Sequence, residues 1–259
     1  MCLLLVAHDC CPGYRLVLAA NRDEFHARPT APAAAWHDRP EVIGGRDLEA
    51  GGTWLAVDTQ GRFATITNVR AAHGRRLARR SRGLIVSDFL SGQHSAQDFT
   101  TRLADSGDDY DGFNVLTYDR RSLCWYSNQA PAARTLEPGI YTLSNALLDT
   151  VWPKTARLRA GFGRILGAQP DDIVENLLGL LRDAHLPDDD ELPETGVGRA
   201  MERILASIFI VGESYGTRCS TVLLIDLDGR LTFHERRYDA SGLASGDSRI
   251  EFELPPMPT

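Results

Sequence analysis

The sequence predicts an α+β fold with mostly antiparallel strands, and two observations carry that prediction. Short apolar runs joined by turn signals stand at both ends of the chain, and residues at helical spacing fill the middle. Strands in runs with helices grouped between them pack in layers and do not make a doubly wound parallel sheet. The 259 residues are 43% hydrophobic and 24% charged, and no Pro/Ser-rich linker interrupts them. This composition predicts one domain over residues 1–259.

The elements follow in order. Residues 2–8 and 14–20 are apolar runs separated by Asp9-Cys10-Cys11-Pro12-Gly13, a hairpin signal. A turn centred near Cys11 gives partners whose numbers sum to about 22, which sets Cys2 near Ala20 and brings Asn21, Arg22 and Asp23 beside the strand tip. A bulge near Pro12 would change which side chain faces Cys2. Strands are expected at Gly52–Val57 and Arg62–Thr67, at Phe113–Tyr118 and Leu123–Ser127, and at Ser220–Ile225 and Leu231–Glu235. Short helices are expected at Leu84–Leu90 and at Ala96–Ala104, the second with Ser95 as N-cap. The main helices are Trp152–Leu166 and one opened by Pro170, where Ile173, Leu177, Leu180 and Leu181 share a face; a further helix covers Arg199–Ala206.

Cys2 directly follows Met1 at the head of the first apolar run. If Met1 is removed, one residue carries a thiol and a free α-amine that both titrate near neutrality, a nucleophile with its own base. The other reading of Cys2 is a small apolar residue opening a buried strand. No export signal or membrane span is expected, and the odd set Cys2, Cys10, Cys11, Cys124 and Cys219 suits reducing cytosol better than a disulfide framework.

The net charge of −7 argues against nucleic acid as the main partner. Against that balance stand Arg70, Arg75, Arg76, Arg79, Arg80 and Arg82, with His73 among them. They form either a solvated loop or a contact for the anionic end of a ligand. The acidic run Asp188–Glu191 reads as a surface loop. Cys10 and Cys11 are adjacent and no His pair stands at ligand spacing with them, so no metal site is expected. Cys11-Pro12, with His8 nearby, is a dipeptide of the kind that can offer a thiolate to haem iron.

Several segments together resemble the NRDE-motif family, also called the transport and Golgi organisation protein two family. They are Met1-Cys2, Leu18 to Phe25 with Arg28-Pro29, Gly51 to Leu55, Thr67-Asn68, Ser81-Arg82-Gly83, Gly112-Phe113-Asn114, Leu143 to Leu148 with Trp152-Pro153-Lys154, and Tyr215 to Arg218. That resemblance implies an N-terminal nucleophile hydrolase-like αββα four-layer sandwich, similar to penicillin V acylases and bile salt hydrolases. It implies Cys2 as nucleophile, Arg22 and Asp23 as the groups that orient and polarise it, Asn68 and Asn145 lining an oxyanion hole, and Arg218 completing the pocket electrostatics. Structural alternatives stand beside these roles: an Arg22–Asp23 ion pair, a Glu24–Arg28 pair, Asn145 bonding the backbone of a turn, and Trp54 and Trp152 as packing residues. The implied activity is attack on an amide or thioester carbonyl, giving hydrolysis or acyl transfer with no cofactor required. The alternative is a non-catalytic protein that binds or delivers haem, an acyl lipid or acyl-coenzyme A.

Overall fold

The computed structural model describes residues 2–70 and 80–257. Two sheets dominate it, and every strand pairing in them is antiparallel. In chain order the strands are β1 (Cys2–Cys11), β2 (Tyr14–Phe25), β3 (Thr30–Trp36), β4 (Arg39–Asp47), β5 (Leu55–Asp58), β6 (Phe63–Asn68), β7 (Phe113–Tyr118), β8 (Leu123–Ser127), β9 (Arg134–Leu136), β10 (Gly139–Leu143), β11 (Tyr215–Asp226), β12 (Arg230–Tyr238) and β13 (Ala244–Glu253). The helices are α1 (Gly83–Ser91), α2 (Ala96–Ala104), α3 (Pro153–Ala168), α4 (Ile173–Leu181) and α5 (Arg199–Ile204). One sheet runs β10-β1-β2-β11-β12-β13 and the other β3-β4-β5-β6-β7-β8-β9.

Alternating side chains build the layers. Leu4, Val6, Leu16, Leu18, Leu223 and Phe233 face inward and meet Leu55, Phe63, Leu116 and Trp125 of the other sheet. Leu3, Leu5, Ala7, Val17 and Ala19 face outward onto Leu158 and Phe162 of α3 and Leu177, Leu178 and Leu181 of α4. On the far side, Ile85, Val86 and Phe89 of α1 and Ala96 and Leu103 of α2 cover Ala64, Val115 and Tyr126. The order is therefore helix, sheet, sheet, helix, the αββα sandwich that the resemblance implied. It also explains why the run from Leu3 to Ala7 is apolar without alternation: both faces of its strand are buried.

The first hairpin forms with a different register. Cys2 pairs with Arg22 and Leu4 with Ala20, so partners sum to 24, because the turn is Pro12-Gly13 between Cys11 and Tyr14, with an irregularity between His8 and Cys11. A shift by an even number keeps each side chain on its expected face. Asn21 points outward. Its side-chain amide donates to the carbonyls of Leu181, at the end of α4, and Ile208, both at 2.8 Å, and its oxygen accepts from Ser220 Oγ at 2.6 Å. It thus satisfies carbonyls that a helix end and a loop would leave orphaned.

Other boundaries sharpen. Ser95 caps α2 as expected, its Oγ accepting from Asp98 N at 3.0 Å. α4 starts at Ile173 rather than Pro170, because Asp172 is the cap, accepting from Glu175 N at 3.1 Å. The Gly52–Val57 strand begins only at Leu55, and the Arg199–Ala206 helix stops at Ile204. Strands β3, β4, β9, β10 and β13 were not expected from periodicity.

Candidate active site

The site assembles where β1 begins. Cys2 is half-buried and lies directly opposite Arg22 on β2. Their side chains share the inner face with Leu4 and Ala20. The Arg22 guanidinium is buried, stacks 4.2 Å from the Trp54 ring centroid, and donates from Nη1 to Thr30 Oγ1 at 3.2 Å. Trp54 itself lies across Gly45, where a Cβ would fall 2.2 Å from the ring, so only glycine permits this stacking platform.

Asp23 follows on the opposite face, and among the described residues its side chain bonds Thr217. Its Oδ1 accepts from Thr217 Oγ1 at 2.7 Å, and its backbone carbonyl accepts from Tyr215 Oη at 3.0 Å. Burial pushes its carboxyl up, opposed by the Lys154 charge and the Thr217 bond. Arg28, for its part, pairs with Asp47 at 2.7 Å and Glu49 at 3.3 Å, and no Glu24–Arg28 ion pair is seen among the described residues.

Strand β10 delivers the third component. Leu143 pairs with Leu4, and continuing that antiparallel register brings residue 145 level with Cys2. Ser144 Oγ donates to the Cys2 carbonyl at 3.2 Å. Asn145 is buried, and its Nδ2 donates to the Asn68 carbonyl at 2.9 Å, not to a turn ahead of α3. The segment is fixed to the opposite sheet as well. Thr67 Oγ1 donates to the Ser144 carbonyl at 2.8 Å, and Asn114 Nδ2 donates to the Ala146 carbonyl at 2.9 Å. Asn68, Asn145 and Cys2 therefore converge from three elements and two sheets.

Arg218 joins from the other side. Its Nη1 donates to the carbonyls of Phe25 and Arg28 at 2.9 and 3.1 Å, and it shares a cavity wall with Arg22. The structure thus sets Arg218 beside Arg22, and Asn145 beside Cys2.

Lys154 was missed by sequence reasoning. Its side chain is buried at the start of α3, Nζ donates to the Leu205 carbonyl at 2.9 Å, and the ammonium lies 5.7 Å from the Trp152 ring centroid. Burial pulls it down to about 8, with Asp23 and Cys2 acting in the opposite direction and Arg70 reinforcing the shift. Burial likewise pushes the Cys2 thiol up, with Asp23 adding to the shift and Arg22 opposing it. Behind Lys154, Arg70 is buried against Glu202 in an ion pair, with the Trp152 ring centroid 5.0 Å from its guanidinium carbon. Trp54 and Trp152 are packing residues whose rings carry arginines.

A profile of the family described as Transport and Golgi organisation 2 matches residues 1–240. The chain is 36% identical to Transport and Golgi organization protein 2 homolog of Bos taurus, across 97% of this chain and 96% of that one. It is 35% identical to the Homo sapiens homolog, across 98% and 99%. The chain belongs to the Transport and Golgi organisation 2 family. The Drosophila melanogaster member is 31% identical, across 91% of each chain. Two solved structures are similar in shape at 10% identity. A Caenorhabditis elegans N-acylethanolamine-hydrolyzing acid amidase ortholog gives a TM-score of 0.48, covering 86% of this chain and 92% of that one. A mutant conjugated bile acid hydrolase from Clostridium perfringens gives 0.44, covering 97% and 92%.

Within this family member, Lys154 had a readable signal. It heads the buried stripe of α3 that continues through Leu158, Gly161 and Phe162, a position where a lysine is costly unless it is used. The arginine-rich segment is partly answered. Arg70 pairs with Glu202, Arg80 Nη2 lies 3.0 Å from Asp88, and Arg82 Nη1 donates to the Gly112 carbonyl at 3.1 Å, while His73, Arg75, Arg76 and Arg79 lie outside the described residues. Cys11, the thiol considered for haem, is buried among apolar side chains, and burial with Cys10 beside it pushes it up to about 12. Among the described residues no group of three His, Cys, Asp or Glu could hold a metal ion, and no helix is long and apolar enough to cross a membrane.

Proposed function

We propose that this protein is an N-terminal cysteine hydrolase or acyltransferase acting on an amide or thioester of a small molecule. The observation that carries the proposal is the convergence on Cys2 of Arg22, through the β1–β2 register, and of the Ser144-Asn145 segment, through the β1–β10 register. Removal of Met1 frees the Cys2 α-amine, which takes the thiol proton. The thiolate attacks the carbonyl carbon while Arg22 and Lys154 supply positive charge that favours it. An amide NH2 has two protons. Asn145 gives one to Asn68, and the second meets the developing oxyanion, alongside the Asn68 side chain. The protonated α-amine, held by Asp23, returns its proton to the leaving amine or thiolate. Water or an acceptor then gives its proton to the now neutral α-amine as it attacks the Cys2 thioester, the C–S bond breaks, and the thiolate and protonated amine are regenerated.

Intact mass of the purified protein tests the first requirement, since a retained Met1 blocks the amine. Turnover of acyl amides and thioesters by wild type and Cys2→Ala tests the second. Haem or acyl-coenzyme A affinity that survives in Cys2→Ala, with no turnover in wild type, would instead favour a binding protein.

A further inference from the structure

The inner face of the first sheet continues past Arg22 into a row of side chains that the Cys2 reaction does not use. Arg22 pairs with Cys2 on one side and with Cys219 of β11 on the other, and Cys219 pairs in turn with Arg237 of β12. Beside this row is a cavity of about 110 Å³ lined by Arg22, Arg218, Arg237, Cys219, Glu235 and Trp54 among others. Three guanidiniums face it against one carboxyl. The arginines are held in place: Arg22 by Thr30 and Trp54, Arg218 by the Phe25 and Arg28 carbonyls, and Arg237 by Ser248 Oγ at 2.8 Å.

Glu235 is 1% exposed, and its Oε1 accepts from Ala33 N at 2.9 Å. Its Oε2 is buried with no nitrogen or oxygen donor against it, the Cys219 thiol is the group beside the carboxyl, and Arg237 Nη1 stands 3.8 Å from Oε1, beyond hydrogen-bond reach. Burial pushes this carboxyl toward its neutral form. Even with this carboxyl counted as charged, the cavity sets three guanidiniums against one acid. Asp47 stands 4.0 Å from Arg22 and is paired to Arg28.

We propose that this cavity binds the anionic group, a carboxylate or phosphate, of the substrate whose acyl carbonyl is attacked at Cys2. The proposal rests on the hydrolase reading above and deepens it to a substrate class. Two inter-strand steps separate Cys2 from Cys219, so the anion lies about 10 Å from the scissile carbonyl, roughly the reach of three extended peptide units. Acyl amides or thioesters with a terminal anion at that span fit. A group of a few heavy atoms fills the cavity, since a water occupies about 30 Å³ of liquid volume.

Titration calorimetry on the Cys2→Ala protein, which removes turnover, tests the site with N-acetyl-6-aminohexanoate and its neutral N-methylamide. The acid is expected to bind at least tenfold more tightly than the amide. Adding Arg237→Gln should reduce that preference below threefold and leave the affinity for the amide unchanged. Inorganic phosphate, which requires no cavity variant, should compete with the acid and not with the amide. Equal affinity for acid and amide, a preference that survives Arg237→Gln in a folded protein, or the absence of competition by phosphate would each overturn the proposal. The two readings fail separately: wild type that prefers the acid yet cleaves neither probe loses the hydrolase reading, and wild type that cleaves both equally loses only the anion site.

Discussion

The two ends of strand β1 both carry cysteine, and their chemical prospects are opposite. Cys2 and Cys11 stand about 30 Å apart on one extended strand. At the Cys11 end the residue belongs to the apolar cluster that Val17 and the α4 side chains build, and burial pushes the thiol up to about 12. His8 nearby is buried against Asp9 at 3.0 Å, and burial pulls its ring toward the neutral form. At the Cys2 end burial also raises the thiol, but Arg22, Lys154, Asp23 and the Asn145 loop surround it with charge and fixed donors. Burial alone makes a cysteine inert. Around Cys2 the charged groups come from β2 and α3 and the neutral donors from the segment after β10, rather than from β1 itself.

The largest expected effect separates the two thiols directly. Cys2→Ala should lower turnover of any amide or thioester substrate by at least about 10³-fold, whereas Cys11→Ala should stay within about twofold and cost about 1 kcal/mol of stability. Comparable activity in the two variants would erase the contrast. Next comes the support behind the Cys2 end. Glu202→Gln leaves Arg70 buried and uncompensated and should destabilise by about 3–5 kcal/mol, read as a lower urea midpoint or melting temperature. An unchanged midpoint would mean that the pair is replaceable by solvent.

Asn145→Ala should reduce kcat by about 10²–10³ if its second amide proton meets the oxyanion. A fall in stability with kcat intact would instead reduce Asn145 to a clamp on Asn68. The smallest effect concerns Lys154. Its removal deletes a positive charge that favours both the thiolate and the neutral α-amine, so the ascending limb of the pH–rate profile should move to higher pH. For Lys154→Met the shift is expected to be on the order of one unit. A limb that stays in place, or moves to lower pH, would show that the Lys154 charge does not reach the reaction.

How much of this was legible depends on the range of the signal. The first hairpin, the helix stripes and the Ser95 cap are local patterns, and the chain follows them. Strand β10 was invisible because Gly139-Ile140-Tyr141-Thr142-Leu143 is short and follows Pro138 on a sheet edge, yet it carries Asn145 to Cys2. The motif segments containing Asn68, Asn145 and Arg218 named these residues without indicating that Asn145 would bond the Asn68 carbonyl or that Arg218 would share a cavity wall with Arg22.

By itself the sequence determined the alternation and the turn chemistry. Pairing parity put Cys2 and Arg22 on one face even though the expected register was two residues away, because a side-chain period of two tolerates an even error. Only the tertiary structure decided the charges. The pull of Lys154 down to about 8 and the upward push on the Glu235 carboxyl both arise from desolvation, and the Arg70–Glu202 ion pair is buried by the same layers. Desolvation depends on which layers close over a residue, and residues as far apart in the chain as Ala33 and Glu235, 202 positions, are brought together by that closing.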